Sequence, residues 1–117
     1  MSTTTLWRPV GQAELDLIEE SGRFPPRLPI QPIFYPVLSF EYAASIAQQW
    51  NTRDKASGHV GYVTEFDVDS TYLLKFEPQA VAGNWGQEYW VPAEQLDEFN
   101  DHIVGVIRVV AEFRPEP

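Results

Sequence analysis

The chain has 117 residues, 44% of them hydrophobic and 14% aromatic, which is enough apolar material for one folded core and argues against low-complexity disorder. Acidic residues outnumber basic ones by 17 to 8, for a net charge of −9, so nucleic acid is not an expected partner and a basic protein is a better one. The absence of cysteine excludes disulfides, thiolate metal sites and a Cys nucleophile, and no apolar run approaches the roughly 20 residues of a membrane helix.

The order of elements is read as follows. Leu6 to Arg8 of "LWRP" predict a short strand that stops at Pro9. In "GQAELDLIEESG", Leu15 and Ile18, with Leu17 beside them, fall at helical spacing. Glu14, Asp16, Glu19 and Glu20 take the wet side, and Gly22 is a C-terminal stop. "RFPPRLPIQP" holds four of the ten prolines, so it is extended and irregular. Its Phe24, Leu28 and Ile30 mark it as a pocket wall or lid rather than a free loop. "IFYPVLS" reads as a strand, and Ser39 caps the helix "FEYAASIAQQW". "HVGYVTEFDV" alternates as a strand, and Asp69 or Ser70 caps a short helix. "EPQAVAG" and "QEYWV" are further strands, "PAEQLDEFN" is a short helix, and "HIVGVIRVVAEF" closes the fold as a long β-branched strand. Tyr62, Phe66, Ile103, Val106 and Val109 are assigned to the core.

Strands crowd the second half without regular βαβ alternation. The expected class is therefore α+β, a split and mainly antiparallel sheet with a few short flanking helices. One domain covers 1–117, with tails at 1–4 and 114–117. The start lacks a basic region followed by a long apolar stretch, and cytoplasmic residence is the expectation.

Two histidines, His59 and His102, stand far apart and no cysteine joins them, so no metal site is expected. No glycine-rich phosphate loop of the Rossmann or Walker kind is present. Three positions remain of interest: Arg8 on the first strand, Tyr35 at the end of the second, and Glu88, a carboxylate inside an apolar strand. Taken singly they also read as a surface cation, a core aromatic and an exposed edge residue.

The stretches "LWRPVG", "PPRLPIQPIFYPVLSFEYAASIA" and "GQEYWVP" together resemble the ADP-ribosyltransferase superfamily, nearest its poly-ADP-ribose polymerase and diphtheria-toxin branch. That branch has a first-strand element like "LWHGS", a proline-containing loop, a strand-helix like "GIYFA…SKSA" and a late strand that carries the catalytic glutamate. The chain also looks like short bacterial proteins that carry the composite label "ADP-ribosylation/crystallin J1".

The resemblance implies a single ADP-ribosyltransferase-like domain that uses NAD as substrate and needs no metal. It makes Glu88 the catalytic residue, stabilising the oxocarbenium-like cation as nicotinamide leaves. Arg8 would anchor the ribose or phosphate of NAD. Tyr35, or Phe34 if the register slips by one, would stack on nicotinamide. The family often has a glycine after the first-strand motif residue, whose N–H holds the nicotinamide amide. Here Pro9 stands in that place, and the role would shift to Gly11. Gly86 stands where arginine-modifying members carry Gln or Glu.

The implied partners are NAD or ADP-ribose and a protein acceptor, with no membrane. The other readings are a non-catalytic module on the same scaffold that binds NAD, ADP-ribose or a peptide, and an acidic partner protein of the antitoxin or immunity kind. RNA 2′-phosphate transfer to NAD is a further same-fold chemistry, for which this chain offers few basic residues. Arg27 and Trp85 are further candidates for the pocket lining.

Overall fold

A computed structural model describes residues 2–28, 30–81 and 86–115. Strand β1 (Thr3–Val10) leads through Gly11 into helix α1 (Gln12–Ser21), which ends on Gly22 in the left-handed conformation. The proline loop then reaches β2 (Ile33–Phe34). Helix α2 (Phe40–Gln49) follows, with the Ser39 hydroxyl accepting from the Tyr42 N–H at 3.2 Å. Two 3₁₀ turns lead to β3 (Gly61–Asp69), and Asp69 caps the single turn of α3 (Ser70–Leu73). Strands β4 (Gln79–Val81), β5 (Gly86–Glu88) and β6 (Val91–Pro92) precede α4 (Leu96–Asp101) and the long β7 (Ile103–Phe113). The class is α+β, with antiparallel sheets and four short helices among the described residues.

Strand β3 is the centre of a three-stranded antiparallel sheet, flanked by β1 and β7. Two shorter pairs, β4 with β5 and β2 with β6, attach through residues 36–38. Val37 exchanges backbone hydrogen bonds with Trp7 at 3.0 and 2.8 Å. On the other side, the Leu38 and Tyr89 N–H groups donate to the Gln87 and Pro36 carbonyls at 3.0 and 2.9 Å. The strand read across "IFYPVLS" is cut to this splint and the two residues of β2. Pro32 and Pro36 offer no N–H, so a longer ladder has no donors at those points. Conversely, β1 runs past Pro9 to Val10 and starts at Thr3, longer than Leu6 to Arg8 and into the expected N-terminal tail. Trp7 points its N–H away from β3, so by the period of two the missing donor at Pro9 falls on the same outer edge. The β1–β3 ladder loses nothing.

Both faces of the sheet are covered. On one, Leu6, Val10 and Phe66 pack with Leu15 and Ile18 of α1 and with Leu96 and Phe99 of α4. Phe24, Phe34, Phe66 and Phe99 meet at ring-centroid distances of 4.8 to 6.2 Å, and each such ring contributes about 1.5–3 kcal/mol by leaving water. On the other face α2 lies against Val37 and Val63 through Ala43 and Ala47. It comes so close that a Cβ on Gly61 would lie 2.4 Å from the Ala47 carbonyl oxygen.

Two core assignments need correction. Val106 and Val109 are 69% and 47% exposed, while Ile103 packs against the core as expected. β7 is an edge strand with two register shifts against β3, and on its outer side no further strand covers its side chains among the described residues. Among the described residues no helix is long and apolar enough to cross a membrane.

Three phenols are held neutral beyond their ordinary range: Tyr72 by burial and then by Glu98, Tyr42 by burial and then by Glu88, and Tyr89 by burial. A raised folded-state value stabilises the fold fully below the unfolded value, and the stabilisation is lost as pH rises through the folded one. Denaturant unfolding should therefore give constant stability up to about pH 10 and a decline above it, in step with late tyrosinate absorbance. Substituting Tyr72 by Phe should flatten that decline.

Candidate functional site

A cleft of about 720 Å³ opens beside the splint, where β1 runs on beyond Trp7 with no further partner on that edge among the described residues. One wall is the end of β1 and the start of α1, with Arg8, Gly11 and Glu14. The proline loop supplies Arg27 and Leu28. Tyr35 and Val37 come from the splint segment, Ile46 and Trp50 from α2 and its end, and Glu88 and Trp90 from β5 and the residues after it.

Arg8 is 8% exposed and sits between Leu6 and Val10 on the core face of β1. Its guanidinium lies 4.6 Å from the Phe34 ring centroid. Its Nε and Nη2 donate to the two carboxylate oxygens of Glu14 at 2.6 and 3.0 Å. Such a fork-to-fork pair satisfies the cation where water is scarce. Glu14 was read as a wet-side residue of α1. Instead it faces inward because Arg8 needs a counter-charge, and the signal was there in a carboxylate one turn inside a helix that follows the Arg strand closely.

Gly11 is required by packing. The turn at 54–58 crosses it so tightly that a Cβ would lie 2.5 Å from the Ser57 Cα. It caps α1 without a side-chain hydrogen bond and borders the cleft. Phe34 is 1% exposed and belongs to the core, which corrects the alternative that let it face a ligand. The extended backbone turns its neighbour Tyr35 the other way, 39% exposed and lining the cleft.

Glu88 is partly buried, and its Oε1 accepts from the Trp90 indole N–H at 2.8 Å. Residues i and i+2 of an extended segment share a face, which is what brings these two side chains together. Gly86, two residues earlier, lies under the Tyr42 ring, with no room for a Cβ: the ring atoms would be 2.7–2.8 Å away. The Gln or Glu of arginine-modifying enzymes could not occupy that position without moving Tyr42.

Arg8, Gly11, Tyr35 and Glu88 thus line one cleft, though not from one side. Directly paired residues of an antiparallel ladder point the same way. Trp7 pairs with Val37, and Val37 with Glu88, so these three point to the α2 face. Arg8, next to Trp7, points to the opposite face. The carboxylate and the guanidinium approach the cleft around the sheet edge and do not pair; the partner of Arg8 is Glu14. Sequence reasoning missed Glu14, Trp50 and Trp90. Trp50 and Trp90 are 60% and 48% exposed, and exposed indoles beside a cleft suit the flat faces of a ligand. Trp85 lies outside the described residues. Among the described residues no group of three or more His, Cys, Asp or Glu is placed to hold a metal. Compared with known families and with curated proteins, the chain matches none.

Proposed function

We propose that the cleft binds NAD and that the chain is an ADP-ribosyltransferase-like protein, its antiparallel strands forming the split sheet of that class. The observation that carries this reading is the arrival at one cleft of Arg8, Gly11, Tyr35 and Glu88, which are dispersed along the chain. The volume suits an organic ligand rather than a bare ion. Tyr35 and the exposed indoles offer faces for the nicotinamide and adenine rings. Glu88 supplies a negative charge for the cation that develops at the anomeric carbon. As the glycosidic bond to nicotinamide breaks, the ring leaves with the bonding pair as neutral nicotinamide. An acceptor nucleophile then adds to that carbon and gives up a proton.

The indole of Trp90 fixes one oxygen of Glu88, so the carboxylate is held before the ligand arrives. Trp90→Phe keeps the ring face and deletes the N–H. It should lower nicotinamide release about tenfold with little change in the KM for NAD, measured as kcat and KM for both proteins. A loss carried wholly by KM would make Trp90 a ligand contact instead.

A second reading is favoured by two observations: Pro9 has no N–H to give nicotinamide, and Arg8 is already committed to Glu14. On it, the cleft binds NAD or ADP-ribose without turnover. Incubating the chain with NAD and measuring free nicotinamide separates the two. Release above the protein-free rate supports the transferase, and binding without release supports the module.

A further inference from the structure

We propose that Arg27, in the proline loop, is the residue of the cleft that holds a phosphate-type oxyanion, and that Arg8 serves the fold. The identification of that oxyanion with the diphosphate of a dinucleotide rests on the NAD reading above; the oxyanion seat itself does not. Arg8 has two of its nitrogens committed to Glu14 and a ring beneath its plane. Arg27 lines the same cleft, and its Nε is buried with no hydrogen-bond partner. A buried N–H without an acceptor is costly and uncommon, and an oxyanion in the cleft would satisfy it.

The loop that carries Arg27 is braced for such a task. Phe24 is seated among Phe34 and Phe66. Its N–H donates to the Asn100 Oδ1 at 2.9 Å, and its carbonyl accepts from the Asn100 Nδ2 at 3.0 Å. Pro25 and Pro26 then fix φ on the approach to Arg27. The ionisable groups that act on its guanidinium are Arg8, Glu14 and Tyr35. Burial first and the charge of Arg8 second make it easier to deprotonate than an ordinary arginine. An arriving anion offsets both effects. Leu28, Tyr35 and Trp50 nearby leave apolar wall for the organic part of a phosphate ester. A planar fork meets phosphate oxygens two at a time, which a lysine does not.

Calorimetric titration of the full chain with inorganic pyrophosphate, ADP-ribose and adenosine tests this. Wild type should bind pyrophosphate and ADP-ribose, and adenosine at least tenfold more weakly than ADP-ribose. Arg27→Gln should weaken pyrophosphate and ADP-ribose at least tenfold at unchanged thermal stability. Arg27→Lys should restore only part of the loss, and Arg53→Gln, away from the cleft, should change nothing. Equal affinity in wild type and Arg27→Gln, or no binding of either phosphate compound by wild type, overturns the assignment. Pyrophosphate binding that depends on Arg27, without any binding of NAD, keeps the oxyanion seat and removes the NAD reading. Glu88-dependent release of nicotinamide with the same KM in Arg27→Gln does the reverse.

Discussion

Glu88→Gln should reduce release of nicotinamide from NAD at least about 100-fold and leave the fold intact. The glutamine amide oxygen can still accept from the Trp90 indole, now 2.8 Å from the carboxylate, so the side chain keeps its place. What it loses is the charge. As the glycosidic bond opens, the positive charge of the nicotinamide ring passes to the anomeric carbon and its ring oxygen, and an anion fixed beside that centre lowers this state more than the ground state, whose charge lies on the ring to be expelled. In a partly desolvated cleft the attraction is several times its value in bulk water. The variant should therefore bind NAD within about threefold of wild type and differ in kcat. Calorimetry beside a nicotinamide assay reads both. Unchanged turnover would remove Glu88 from the chemistry, whatever the cleft binds.

Glu14→Ala should be the most damaging single truncation of the cleft wall. Arg8 stays almost wholly shielded, its side chain 10% exposed, and loses both carboxylate oxygens at once. Breaking a buried pair by deleting one partner costs about 3–5 kcal/mol, because the other charge remains desolvated. The Glu14 side chain is 23% exposed and water can enter the cleft, so about 2–4 kcal/mol is expected here. In a chain of this size that is a fall in Tm of about 10 °C or more. Glu14→Gln keeps an acceptor for the guanidinium and should lose about half as much. Glu19→Ala, on the exposed side of the same helix, should lie within about 0.5 kcal/mol of wild type. A Glu14→Ala protein as stable as Glu19→Ala would show that the pair is incidental and leave Arg8 free for a ligand.

Local chemistry made much of the fold legible. Gly22 ends α1 in the left-handed conformation that glycine accepts, and Ser39 and Asp69 cap the helices they precede. Alternation in β3 placed Tyr62 and Phe66 inside. The misreadings arise where a distant element decides. Val106 and Val109 lie three residues apart, so strict alternation cannot put both inside; β7 runs along the sheet edge with two register shifts against β3, and nothing within β7 announces those shifts except Gly105, whose φ is 82°. Pro9 looked like a strand end because a proline removes a donor. It is tolerated because the donor would have faced the open edge, which depends on which neighbour β1 takes.

In the cleft, Arg8, Tyr35 and Glu88 stood out by residue type against their surroundings. The facing of each was not legible. Whether a residue on β1 points toward α2 or away depends on its register with Val37, and that register is set by a splint between prolines rather than by a periodic strand. The ion pair of Arg8 with Glu14 spans a turn whose geometry rests on the fit of Gly11 against Ser57, a contact across more than forty residues. Trp50 escaped notice because a helix-terminal indole carries no pattern; the residues with which it lines the cleft come from β1, the proline loop and β5.

The central claim is that this cleft holds a dinucleotide. The most direct test is a calorimetric titration of the unmodified chain with NAD, repeated in the presence of saturating ADP-ribose. One site per chain is predicted, with a dissociation constant of about 1 mM or tighter and competition by ADP-ribose. The fluorescence of Trp50 and Trp90 should change along the same isotherm. No heat and no fluorescence change at NAD concentrations of about 10 mM would contradict the account.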